Sequence, residues 1–302
     1  MAVPLRDELP TRRRPVATWL LLAVNVLVFL FLQPPPFQGG GIDLETVTLD
    51  PADEREAVEF VYRFGVVPCE IEHGEALEEG PECDGVPEAT PEGKNVWLSL
   101  LTHQFLHGSV SHLVGNLLFL WVFGPKVEDR MGPLPFLAFY VVAGVLAMLG
   151  WSATNWGGAT PAIGASGAIA GVMGAYLVLH PRSRVLTFVP GFVTQVVWVP
   201  AFVLLGLFFL AQFLTPDLAE VAWEAHVAGM VAGALLALAL WRRGAAAPPP
   251  ALLTGPSPWP DDRRPRRATG DAGGTIVDYL LAVAIVAVAC VVAAVVLIGR
   301  GG

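Results

Sequence analysis

Seven apolar stretches govern what this chain can become: residues 16–32, 110–123, 134–151, 162–179, 192–214, 221–241 and 276–298. A bilayer core takes about 20 apolar residues per helical span. The second stretch is short on its own, and its apolar lead-in at 96–105 extends it or dips into the interface. With 54% hydrophobic and only 15% charged residues, the chain is excluded from the ordinary soluble class. The expectation is an all-α membrane protein with seven transmembrane helices, six of them ahead of a Pro/Arg-rich stretch and one C-terminal to it. In segments, 1–15 is a cytoplasmic tail, 16–241 the six-span unit with an outer loop at 33–95, 242–275 a Pro/Arg-rich cytoplasmic linker, and 276–298 the seventh span. The first run is full length and lacks a small-residue cleavage site, so it is expected to stay as an anchor.

Basic residues near span ends stay on the cytoplasmic side. With the N-terminus inside, Arg12, Arg13, Arg14, Lys126, Arg130, Arg182, Arg184, Arg242 and Arg243 all fall inside, as does the cluster from Arg263 to Arg267. Outside are only Arg55, Arg63, Lys94 and Arg300. The outer loop carries much of the acid, including Glu75, Glu78, Glu79, Glu82 and Asp84, and its stretch 54–64 has the apolar spacing of an amphipathic helix. Cys69 and Cys83 lie in that loop as a candidate disulfide, worth about 3 kcal/mol for a loop of this size. A zinc site of Cys69, His73 and Cys83 matches no common ligand spacing, so no metal is assigned.

Polar groups inside apolar spans are costly and by default mark a functional site. Here they are few. His112 and Asn116 stand four apart on one helix face; Ser166 sits in Gly164-Ala165-Ser166-Gly167; His226 precedes Gly229 and Gly233. The charge-derived topology runs spans two, four and six from outside to inside, so His112, Ser166 and His226 come to similar shallow depth. A serine beside a base is a nucleophile, and its tetrahedral intermediate needs donors. The reading is a Ser166–His226 dyad, with the Ser166 backbone N–H and the side chains of His112 and Asn116 stabilising the oxyanion. No carboxylate is placed to complete a triad: Glu224 points away from His226, and Asp278 starts at the opposite end. Gly164, Gly167, Gly229 and Gly233 provide small-residue faces through which spans four and six approach closely.

Blander readings exist for each element. A serine in a glycine-rich span is usually packing, and a lone membrane histidine can carry protons or bind metal in a transporter. His103 and His107 precede the span, where the expectation is interfacial imidazoles bonding to loop backbone.

The order His103-x-x-x-His107, His112-x-x-x-Asn116, Gly124-x-x-x-Glu128, Gly164-x-Ser166-Gly167 and Ala225-His226 with Gly229 and Gly233 resembles the rhomboid family of intramembrane serine proteases. The resemblance covers spans one to six. It implies a six-helix bundle with Ser166 as nucleophile, His226 as base, and His112 and Asn116 in or near the oxyanion hole. It further implies a serine endopeptidase, needing no cofactor, that cleaves transmembrane protein substrates near the outer face, in contact with membrane lipid and with no nucleic-acid partner. The chain departs from the family's pattern at Ala170, where an aromatic residue is usual, and at Leu98, where arginine is common. The acidic insert and the seventh span are additions. The competing expectation is a catalytically weak rhomboid-like protein that binds membrane helices. The Ala/Gly/Pro-rich composition points to a multi-pass protein of a bacterial plasma membrane, N-terminus cytoplasmic.

Overall fold

The computed structural model describes residues 2–34, 37, 51–76, 83, 93–190, 195–214 and 222–240. The linker 242–275, the span 276–298 and much of the acidic loop lie outside the described residues. Nine α-helices run among the described residues: α1 (Val16–Phe31), α2 (Pro51–Phe64), α3 (Pro68–His73), α4 (Val96–Thr102), α5 (Val110–Met131), α6 (Pro133–Thr154), α7 (Ser166–Leu179), α8 (Ala201–Leu214) and α9 (Trp223–Leu240). A 3₁₀ turn, His103–Phe105, follows α4. By length and composition α5, α6 and α9 can cross a membrane, while α1, α7 and α8 are shorter apolar helices. Leu20, Leu27, Val114, Leu134, Leu207 and Leu235 are exposed on the outside of the bundle, as apolar solvent requires.

Helix α7 is the buried centre: every residue after Ser166 is buried. Glycines let its neighbours reach its backbone. A Cβ at Gly229 would overlap the Gly167 carbonyl, and one at Gly233 would overlap the Gly171 carbonyl, so α9 lies directly on α7. On another side α6 supplies small residues, with Ala147 Cβ only 2.8 Å from where a Gly167 Cβ would stand and Ala143 Cβ 2.6 Å from that of Gly171. Bulk returns toward the other end of α7, where Phe123 meets Tyr176 edge-on at 4.9 Å.

Three expectations from the sequence are corrected. The second span does not end near Gly124-Pro125; α5 continues through Pro125 to Met131. Membrane helices tolerate an internal proline where neighbours and local adjustments satisfy the freed backbone groups. The charged residues after Pro125 are thus part of the helix rather than of a turn, and Glu128 is buried against the start of α1. The fifth span begins later than residue 192, because Gln195–Pro200 is a strand, β3, ahead of α8. It pairs antiparallel with β2 (Arg184–Val189), which pairs antiparallel with β1 (Val3–Asp7). The all-α expectation therefore misses a small three-stranded sheet, and the tail 1–15 is partly a strand. Asp7 pins it: its carboxylate accepts hydrogen bonds from Tyr176 and from Ser183.

The outer insert is packed on the bundle. Helix α2 buries Ala57 with Phe29, Phe37 and Leu113. Val66 and Ala162 exchange backbone hydrogen bonds at 3.0 and 2.8 Å, tying the insert to the loop that leads into α7. Glu70 and Lys94 form a buried ion pair, and Cys69 is joined to Cys83, their Cα atoms 6.1 Å apart.

Candidate active site

Ser166 is the first residue of α7, half-buried, with no side chain capping the helix start. The first backbone N–H groups of a helix lack intrahelical partners and carry the positive end of its dipole. The approach to Ser166 is set by Gly164, whose φ of +136° is a conformation that disfavours any side chain. Its N–H donates to the carbonyl of His103 at 2.9 Å. A Cβ there would stand 3.0 Å from His112 Cε1, 3.1 Å from His112 Nε2 and 3.6 Å from Ser166 Oγ. The missing side chain at Gly164 therefore leaves a small space bounded by the hydroxyl and one imidazole nitrogen.

His112 is held from three directions. Its backbone N–H donates to Ser109 Oγ at 3.1 Å, the N-cap of α5. Its ring packs edge-on to that of His107, centroids 5.2 Å apart. Gly108 N–H donates to His112 Nδ1 at 3.4 Å. An Nδ1 that accepts is unprotonated, so the neutral ring carries its proton on Nε2, the atom beside Gly164. One turn on, Asn116 is buried, and its Nδ2 has no hydrogen-bond partner among the described residues. His226 lies in the first turn of α9, 7% exposed. The space at Gly164 is thus bordered by Ser166 and His112, Asn116 follows one turn along α5, and His226 stands at the end of α9 that packs on the Ser166 end of α7. Gly167, Gly229 and Gly233 form the seam beneath. Helix α9 meets α7 at the Ser166 end too, with the Ala225 carbonyl 3.9 Å from the Cβ position of Gly167.

Residues 94–243 match the model of the Rhomboid domain. The chain belongs to the rhomboid family. Over 171 residues it is 29% identical to the rhomboid protease GluP of Bacillus subtilis, covering 57% of this chain and 26% of that one. It is 33% identical over 113 residues to the mitochondrial rhomboid protein 1 of Saccharomyces cerevisiae, covering 33% of each. With the rhomboid protease GlpG of Yersinia pestis the identity is 31% over 146 residues, 47% of this chain and 46% of that one. The chain thus spans between a quarter and just under half the length of the curated relatives it matches. The rhomboid domain and the apolar helices together make it an integral membrane protein.

His103 and His107 are not at a polar interface as expected but fully buried, because the 3₁₀ turn that His103 opens and the irregular stretch after it that holds His107 both fold into the bundle. The expected bonds from their imidazoles to loop backbone are not seen: the four ring nitrogens have no hydrogen-bond partner among the described residues, and it is the backbone of each residue that is tied, His103 to Gly164 and His107 to Gln33. Cys69, His73 and Cys83 bring their ligand atoms within 4.8 Å of one another, but the two sulfurs are bonded to each other and a disulfide sulfur is not a thiolate ligand. Sequence reasoning passed over Gln33, Gly108 and Ser109. Ser109 carries a readable signal, a serine directly before an apolar helical run. Gln33 carries none, since a polar residue at a span end looks ordinary.

Proposed function

We propose that this chain is an intramembrane serine endopeptidase, working by a Ser166–His226 dyad on the transmembrane helices of other membrane proteins. The observation that carries the reading is the place of His112 Nε2, 3.1 Å from the empty Cβ position of Gly164 that lies 3.6 Å from Ser166 Oγ, with the Gly108 hydrogen bond to Nδ1 favouring the tautomer that makes Nε2 the donor. A donor at that spot is of little use to packing and of great use to an oxyanion.

The chemistry follows from the residues. Ser166 Oγ attacks the scissile carbonyl carbon while His226 takes its proton. The carbonyl π pair moves onto oxygen, and the oxyanion is met by His112 Nε2–H, the Asn116 amide and the Ser166 backbone N–H. Collapse breaks the C–N bond as the His226 imidazolium protonates the leaving amine. Water, deprotonated by His226, then attacks the acyl ester, and Ser166 leaves with its proton restored. A substrate helix must unwind locally before its carbonyl can reach Ser166, so small and helix-destabilising residues near the cleaved bond are the expected substrate traits. The clustering of basic residues supports a cytoplasmic N-terminus, and with it a site opening toward the outer face of a bacterial plasma membrane.

The test is cleavage of a labelled single-span membrane protein by purified protein in detergent. Cleavage by the wild type, abolished in Ser166→Ala and in His226→Ala and indifferent to chelators, is the expected result. Persistent cleavage in Ser166→Ala, or binding of helices without cleavage by the wild type, overturns the reading.

A further inference from the structure

We infer that Gln33 is a positioning residue for the oxyanion donor: it fixes the peptide plane between His107 and Gly108, and through it the tautomer and orientation of His112. The inference rests on the role proposed for His112 but makes a separate claim, about which group sets that ring.

Gln33 follows the last turn of α1 and is 4% exposed. Its amide grips the backbone of His107 on both sides, Nε2 donating to the carbonyl at 2.8 Å and Oε1 accepting the N–H at 2.9 Å. Residues 106–109 belong to neither helix nor strand, so these buried backbone groups have no ladder to join. The side chain acts as a substitute strand partner.

The bond to the carbonyl matters beyond satisfaction. The carbonyl of His107 and the N–H of Gly108 belong to one planar unit, and in this trans peptide they point to opposite edges. Gln33 holds one edge and His112 Nδ1 receives the other at 3.4 Å. Rotation of that plane about its flanking bonds would withdraw the N–H from Nδ1. The His112 proton would then be shared between the two ring nitrogens. Whenever it sat on Nδ1, the Nε2 lone pair would face the developing oxyanion and repel it. The His107 ring, edge-on to His112 at 5.2 Å, is carried on the same clamped backbone.

The experiment compares wild type with Gln33→Met, which keeps length but removes both hydrogen bonds, and with Gln33→Glu, which keeps the acceptor for His107 N–H and loses the donor to its carbonyl. Two readouts are taken on full-length protein: kcat and KM for a single-span substrate, and the imidazole ¹⁵N shifts of His112, assigned against His112→Asn. The expected result is a kcat lower by about 10- to 100-fold in Gln33→Met, with KM within about twofold, since misplacement lowers transition-state stabilisation and not ground-state binding. Both variants move the His112 shifts from the Nε2–H pattern toward a tautomer mixture. Should Gln33→Met not fold, Gln33→Glu carries the test. Unaltered His112 shifts in a folded variant overturn the inference, as does a loss of kcat matched by loss of folded protein alone. If the wild type itself neither cleaves nor reacts with a serine-directed fluorophosphonate, the protease reading fails, while the ¹⁵N shifts still decide whether Gln33 sets His112.

Discussion

The hydroxyl of Thr18 donates to the Glu128 carboxylate at 2.7 Å, joining the first turn of α1 to the far end of the helix that carries His112 and Asn116. The same carboxylate accepts the backbone N–H groups of Ala17 at 3.0 Å and Thr18 at 2.8 Å, and so caps α1 from a distant part of the chain. Gly124, one turn earlier on α5, is closely approached: a Cβ there would lie 3.0 Å from Thr18 Cγ2 and push that side chain aside. Glycine for approach and glutamate for capping explain why the two occur four residues apart. Glu128→Ala leaves buried N–H groups unpaired and is expected to destabilise by about 2–3 kcal/mol, with Glu128→Gln milder because it keeps an acceptor. Unfolding midpoints in detergent check the order.

The seam between α7 and α9 sets a second expectation. A methyl at Gly229 overlaps the Gly167 carbonyl, a rigid backbone atom, whereas at Gly206 on α8 nothing lies within 4 Å. Gly229→Ala should therefore force the helices apart, at about 1–3 kcal/mol and with loss of activity, because His226 is carried on the displaced helix. Gly206→Ala should be neutral or stabilising by up to about 1 kcal/mol from helix propensity. Parallel unfolding and cleavage measurements on the two variants separate close approach from a general intolerance of alanine.

What could be read from the sequence, and what could not, divides along one physical line. Ser166, His226, His112 and Asn116 are polar groups in apolar surroundings, and that contrast exists in the sequence before any fold is known. The glycine spacing in α7 is likewise visible. Gln33 and Glu128 act on backbone 74 and 110 residues away, and nothing local distinguishes them from ordinary polar residues at a span end or turn. Pro125 looked like a stop because its missing N–H breaks soluble helices, yet the buried end of α5 accommodates it. The run Val196-Val197-Trp198-Val199 was absorbed into a span because a continuous apolar run has no period to separate strand from helix. Its β-branched content was the available signal.

Below α7, His180 provides a pH-dependent expectation. Burial first, and then the nearby cations Lys126 and Arg130, lower its pKa from 6.5 to about 4, against a weak opposing bond between Nε2 and the Lys126 carbonyl at 3.4 Å. A base whose folded pKa is depressed contributes stability above its unfolded pKa. That stability is lost as pH falls from about 6.5 toward about 4, since the unfolded chain then binds the extra proton. Between pH 8 and pH 5 this group alone removes about 2 kcal/mol. His180→Gln cannot take up that proton, so the wild type should lose more stability than the variant over this interval. Denaturant or thermal unfolding of both proteins at the two pH values measures the difference, and equal losses would exclude His180 as a contributor.

Asn116 gives the most direct test of the oxyanion reading because its Nδ2 is buried without a partner among the described residues. A buried donor with nothing to donate to is unfavourable at rest, and an acceptor that arrives only during the reaction would make use of it. Asn116→Ala should therefore lower kcat by about 10²- to 10³-fold while leaving KM nearly unmoved, since the bond is made in the transition state. It should not destabilise the fold by the amount expected for breaking a native hydrogen bond, because none is broken. Asn116→Asp should be worse than alanine in kcat, as an ionised carboxylate would repel the oxyanion. The double variant with His112→Ala should lose less than the product of the single losses, the two donors serving one oxygen. Steady-state cleavage rates over a range of substrate concentrations, with unfolding midpoints for the wild type and the same four variants, separate this outcome from simple misfolding. A large fall in stability with an unchanged kcat per folded molecule would make Asn116 a packing residue instead.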